Sequence, residues 1–215
     1  MEMIRQFVDL FLHLDKHLGE AIQNYGTWTY GLLALIVFCE TGLVVTPILP
    51  GDSLLFAAGL FAGLGHLNIW VLFGSLTLAA VLGDTLNYHI GKYIGPKVFS
   101  QEDSRIFKKA YLEKTAKFYA KYGAKTVVLA RFVPIVRTFA PFVAGVGSME
   151  YPKFLAYNVI GAVLWVGVCL AAGFYLGGIE VVRENFSIAV LAVIFVSILP
   201  ALVEMATAWR ERKAA

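Results

Sequence analysis

The stretch A-R-F-V-P-I-V-R-T-F-A-P-F-V-A-G, residues 130–145, is apolar enough for a membrane interior, yet it carries Arg131 and Arg137. A second stretch, C-E-T-G-L-V-V-T-P-I-L-P-G-D-S at 39–53, carries two acids instead, Glu40 and Asp52. A charge at membrane depth costs about 2.5–3.5 kcal/mol on insertion scales, so such residues are kept where something charged binds or moves. Both stretches are also broken, the acidic one by Pro47, Pro50 and Gly51, the arginine-bearing one by Pro134, Pro141 and Gly145. Proline frees backbone groups that lipid does not satisfy. Each segment is therefore expected to be a re-entrant hairpin whose open backbone lines a cavity.

Composition points the same way. Hydrophobic residues make up 59% of the chain and charged ones 15%, with a mean hydropathy of +0.71. Soluble domains run at about 45–50% apolar and about 25% charged. With 215 residues there is room for one membrane domain and no separate soluble catalytic module. The expected fold is an all-α polytopic membrane protein. Residues 1–26 form an amphipathic helix, with Ile4, Phe7, Val8 and Phe11 near helical spacing. Residues 27–95 make a first repeat of re-entrant hairpin plus transmembrane helix, and 124–179 a second. A basic linker at 96–123 joins them, and a last transmembrane helix covers 185–207. Residues 92–125 hold nine basic residues against three acidic ones, and the tail carries Arg210, Arg212 and Lys213. The positive-inside rule places both in the cytoplasm.

The two halves resemble each other. F-A-A-G at 56–59 matches F-V-A-G at 142–145, an offset of 86, and G-K-Y-I-G at 91–95 matches G-F-Y-L-G at 173–177, an offset of 82. With the linker inside, the span at 69–91 starts outside and the span at 154–179 starts inside. The repeats thus run in opposite senses. Inverted repeats with broken helices are a recurring architecture of secondary transporters, with the site near the midplane.

Arg131 and Arg137 are six residues apart and would face different sides of a continuous helix. The break at Pro134 lets both turn toward one site. A half-helix following Thr138 would aim its N-terminus there, and a helix N-terminus beside arginines favours phosphate. Arg131, Arg137 and Thr138 are thus the expected phosphate-binding residues. A structural alternative is that the arginines form buried ion pairs with Glu40 and Asp52. Such pairs are weak evidence for stability, since desolvation offsets most of their attraction. Glu40 is the expected proton carrier, because an embedded carboxylate gains a proton when its arginine partner takes up phosphate. Asp52 assists it, or simply caps the helix after it. Asp84, Asn87 and Tyr88 lie near the far end of the first span, either lining the pathway or forming an ordinary polar helix end. No catalytic constellation and no metal-ligand spacing is evident, so neither enzyme activity nor a cofactor or metal is expected. The expected partners are membrane lipids and protons, with a homo-oligomer compatible and nucleic acid not expected.

Three motifs carry a resemblance: E-T-G-L-V-V-T-P-I-L-P-G-D at 40–52, G-D-T-L-N-Y-H-I-G-K at 83–92, and R-F-V-P-I-V-R-T-F-A-P-F-V-A-G at 131–145. The chain resembles the DedA family of bacterial inner-membrane proteins, within the wider SNARE-associated (VTT-domain) superfamily. The four charged positions Glu40, Asp52, Arg131 and Arg137 all match. The resemblance implies paired re-entrant hairpins, a place in the inner membrane and movement of lipids between leaflets. The lipid is undecaprenyl phosphate in some members and phospholipid in others, with a link to proton motive force. The combined expectation is a lipid-phosphate translocase coupled to protons. The alternative is a proton-coupled transporter of a small ion or cationic drug.

Overall fold

The computed structural model of the chain describes residues 25–43, 51–98, 115, 119–177 and 179. The expected amphipathic helix, the hairpin tip with Pro47 and Pro50, most of the basic linker and the last span lie outside the described residues. Among those described, every regular element is helical: α1 (Trp28–Gly42), α2 (Gly51–Gly63), α3 (Ile69–Val98), α4 (Thr126–Ala130), α5 (Pro134–Val146) and α6 (Tyr151–Gly177). A 3-10 turn at Gly123–Lys125 leads into α4.

Two helices are long and apolar enough to cross a membrane, over Ile69–Ile94 and Tyr151–Gly177. Only a third of each is buried. Their outer faces instead carry Leu78, Leu82 and Leu86 on α3, and Ile160, Leu164 and Val168 on α6, all exposed. Water would not tolerate such continuous apolar surface, whereas lipid does. The α3 span begins at a cap that the sequence supplies: the Asn68 side chain accepts hydrogen bonds from the backbone N–H of Trp70 at 2.9 Å and Val71 at 3.3 Å. At its other end α3 runs on to Val98, beyond the expected boundary of the span.

The short apolar helices α2 and α5 end alike. After α2, His66 N–H bonds the Phe61 carbonyl and Gly65 N–H the Ala62 carbonyl, with Gly65 at φ +83°. After α5, Met149 N–H bonds the Ala144 carbonyl and Ser148 N–H the Gly145 carbonyl, with Ser148 at φ +53°. Both are Schellman caps, which consume carbonyls that the last turn leaves open.

The chain divides into two compact units that interleave in sequence. One takes in described residues up to Leu33, those from Gly51 to Ser75, and those from Val166 onward; the other takes in Ala34–Leu43 and Leu76–Trp165. Within the first unit α2 packs on the end of α6. Gly59 abuts the Leu170 carbonyl and Gly173 the Phe56 carbonyl, so closely that a methyl on either would fall well inside 3 Å of oxygen. Within the second unit α5 packs on α3. Gly145 abuts the Tyr88 carbonyl and Gly91 the Phe142 carbonyl, with the same lack of room. The two seams use equivalent residues: Phe56 and Gly59 correspond to Phe142 and Gly145, and Gly91 corresponds to Gly173, at the offsets of 86 and 82 read from the sequence.

Candidate functional site

The second unit gathers the embedded charges. The break before α5 sets their geometry. Following α4, residues 131–133 form a tight turn in which the Val133 N–H bonds the Ala130 carbonyl at 2.9 Å. Val133 is extended, at φ −118° and ψ 107°, and Pro134 opens α5 at its first position. Proline suits that position because its missing N–H would have no partner there. Arg131 thus ends one helix and Arg137 lies in the first turns of the next. The half-helix begins at Pro134, not after Thr138, because Pro134 is the residue that forces the restart. Thr138 and Pro141 therefore lie inside α5. Pro141 cannot donate a backbone hydrogen bond to the Arg137 carbonyl, which leaves the chain locally open.

Arg131 and Arg137 converge on one cavity, lined by Glu40 and Thr41 from α1, Asp84 from α3, both arginines, Thr138 from α5 and Trp165 from α6. An Arg137 terminal nitrogen donates to Glu40 Oε1 at 2.6 Å. An Arg131 terminal nitrogen donates to Asp84 Oδ2 at 2.6 Å and to Asn158 Oδ1 at 2.6 Å. Asn158 in turn donates to the Val81 carbonyl at 3.1 Å. Both guanidiniums sit over the indole of Trp165, their carbons 5.7 Å and 5.6 Å from the ring centroid, within cation–π range. Gly161 makes room for Arg131: a methyl there would stand 3.0 Å from Arg131 Cδ and 3.1 Å from Nε.

Asn87 ties the site's walls together. Its side-chain nitrogen donates to the Thr41 carbonyl at 3.1 Å and the Thr138 carbonyl at 2.9 Å. Those are the residues that follow Glu40 and Arg137. Tyr88 is buried against Phe154 and donates its hydroxyl to the Met149 carbonyl. Tyr119, from the expected linker, donates to the Ala140 carbonyl at 2.9 Å and packs against the core around α5.

Several expectations need correction. Asp84, Asn87 and Tyr88 are not a polar helix end but are buried within the unit. Asp84 pairs with Arg131, the role that the ion-pair alternative gave to Asp52. Buried arginine needs a carboxylate partner within reach, and the turn after Ala130 brings Arg131 to α3. Asp52 belongs to the other unit, half-buried in the first turn of α2 and inside the helix, not capping it from the residue before. Gly145 acts as a close-packing residue in the α5–α3 seam, and Gly51 is the first residue of α2. Two contributors, Asn158 and Trp165, went unnoticed in the sequence although each had a signal. Asn158 is a strongly polar residue within an uncharged span. Trp165 is a tryptophan in mid-span, away from the interfaces where tryptophans usually sit.

The cavity is small, about 20 Å³. That is room for about one water and far less than a phosphate with its four oxygens. In the described arrangement a carboxylate occupies each arginine.

The VTT domain family matches residues 49–175. The chain is 53% identical over 207 residues to Protein DedA of Escherichia coli K12, covering 95% of this chain and 94% of that one. It is 48% identical over 183 residues to an uncharacterized membrane protein of Mycobacterium tuberculosis, covering 84% and 80%. It is 30% identical over 148 residues to inner membrane protein YqjA of E. coli K12, covering 69% and 67%. No solved structure matches. The long apolar helix α3, and α6 as far as Tyr175, fall within the matched domain, and nearly the full length of a relative aligns besides. The chain belongs to the DedA family of VTT-domain membrane proteins.

Proposed function

We propose that this protein moves a lipid phosphate, a polyprenyl phosphate such as undecaprenyl phosphate or a phospholipid, between the leaflets of the bacterial inner membrane. The observation that carries this reading is the convergence of Arg131 and Arg137 on one cavity, each bound to a carboxylate at 2.6 Å. A half-buried guanidinium beside a buried one on a shared platform suits an oxyanion, since the planar fork of arginine matches phosphate oxygens. The matched seams of the two units support an inverted-repeat transporter with a re-entrant hairpin in each half, and the basic linker and tail then face the cytoplasm.

Coupling to protons follows from charge balance. The cavity holds two acids and two bases. An entering phosphate adds about 1.5 to 2 negative charges if it is a monoester. Protonation of the displaced carboxylate offsets one of those charges, and Glu40, the partner of Arg137, takes that proton. Purified protein in liposomes tests the reading, with flipping of undecaprenyl phosphate measured beside phosphatidylethanolamine. Arg131→Ala and Arg137→Ala should each reduce flipping at least tenfold. Glu40→Gln should retain flipping but lose its response to an imposed pH gradient. Normal flipping by both alanine variants would overturn the phosphate-site reading, and transport of a small ion without lipid flipping would favour the ion-transporter alternative.

A further inference from the structure

The two ion pairs of the cavity are not equivalent. Arg131 is held on several sides. Asp84 and Asn158 both accept from the same terminal nitrogen. Asn158 is itself anchored to the α3 backbone. The stem lies in the recess that Gly161 leaves on α6, and Nε, which is buried without a hydrogen bond, sits beside that recess. The Arg131 and Asp84 side chains are 5% and 6% exposed. Arg137 differs: its side chain is 20% exposed although its partner Glu40 is 5% exposed. One arginine is thus walled in, and the other is partly exposed.

Asn87 gives the Arg137–Glu40 pair a second property. The Asn87 amide bonds the carbonyls of Thr41 and Thr138, one residue beyond each partner. Its two N–H groups fix the amide's orientation, because the carbonyl end could not accept from either position. The backbones of α1 and α5 therefore stay joined when the adjacent side chains separate.

From this asymmetry we infer that ligand exchange takes place at Arg137 alone: the incoming phosphate replaces Glu40 on Arg137, while Arg131 stays bound to Asp84 and Asn158 as a positioning residue. Asn87 holds the two walls together during the exchange. The inference rests on the proposed reading of the cavity as a phosphate site, but it makes a separate claim about which pair opens. The ligand chemistry is a phosphate group, supplied either by a lipid or by the free anion.

Arginine-selective labelling of the wild-type protein in vesicles tests it. Phenylglyoxal is applied to vesicles of phosphatidylethanolamine and phosphatidylglycerol, and modification at each arginine is read by mass spectrometry. Without added ligand, Arg137 should be labelled at least tenfold faster than Arg131, and Glu40→Gln should speed Arg137 labelling further. Adding undecaprenyl phosphate should protect Arg137 and leave Arg131 unchanged. Equal labelling of both arginines, or no labelling of Arg137, overturns the inference even if lipid is flipped. Unequal labelling with no protection by undecaprenyl phosphate leaves the exchangeable pair standing and counts against a polyprenyl phosphate as its ligand. Protection by inorganic phosphate at the same concentration identifies the free anion as the ligand.

Discussion

Trp165 breaks the usual placement of tryptophan in a spanning helix, which favours the ends. It is buried in the middle of α6, and both guanidiniums lie over its ring. Each such contact contributes about 0.5–2 kcal/mol, more where water is excluded. When a carboxylate leaves, the indole still holds the cation in place, so the receptor remains shaped while its partner changes. Trp165→Ala should therefore lower lipid-phosphate flipping by roughly tenfold or more, from one or two contacts of that size. Trp165→Phe keeps an aromatic face and should lose only about threefold. Flipping rates in liposomes, corrected for the amount of folded protein, decide it; a fully active Trp165→Ala would remove the platform from the mechanism. Glu40, Arg131 and Arg137 were legible in the sequence because a charge within apolar surroundings announces its own cost. Which acid meets which arginine was not. Arg131 meets Asp84 across 47 positions and Glu40 meets Arg137 across 97. Sequence spacing carries no signal at that range, so Asp52 and Asp84 could not be told apart as partners of an arginine.

At the scale of elements, the short helices α2 and α5 depend on contacts that only glycine permits. A methyl on Gly59 or Gly145 would meet a backbone carbonyl oxygen, and backbone cannot rotate away as a side chain can. Close approach through small residues is how helices associate in lipid, where apolar surface gives no driving force of its own. Gly59→Ala and Gly145→Ala should each destabilise the protein by about 1–3 kcal/mol, the usual cost of overpacking. Gly31 and Gly74 provide controls, since a methyl at either meets nothing within 4 Å. Gly74→Ala should be neutral or stabilising by roughly 0.5–1 kcal/mol, because alanine favours a helix interior. Thermal unfolding in detergent separates the two classes, and equal shifts for Gly145 and Gly74 would contradict the seam. The F-A-A-G and F-V-A-G fragments betrayed this repetition in the sequence. What they were for was not readable, since packing a glycine against a carbonyl on a distant helix leaves no local pattern. The start of α5 was misplaced for a related reason. Pro134 and Pro141 both read as breaks, but proline at a first helical position begins a helix while proline further in only loosens it.

For the whole molecule, the proposed mechanism requires the two halves to run in opposite directions through the bilayer. Charge supplies the expected orientation: the basic stretch at 92–125 and the tail at Arg210, Arg212 and Lys213 are placed inside. α3 then descends from outside to inside and α6 rises from inside to outside. Single cysteines test this, after Cys39 and Cys169 are replaced by serine. With a membrane-impermeant maleimide on intact cells, Val182→Cys should be labelled. Ala110→Cys should be labelled only after the membrane is opened, and Ala214→Cys likewise. Cysteines at Gly51 and Ala140, near the expected tips of the hairpins, should react slowly from both sides if the segments are re-entrant as proposed. If Ala110→Cys and Val182→Cys react from the same side, the segment before α6 crosses the membrane and the two halves share one orientation. An inverted-repeat translocation path would then have to be abandoned.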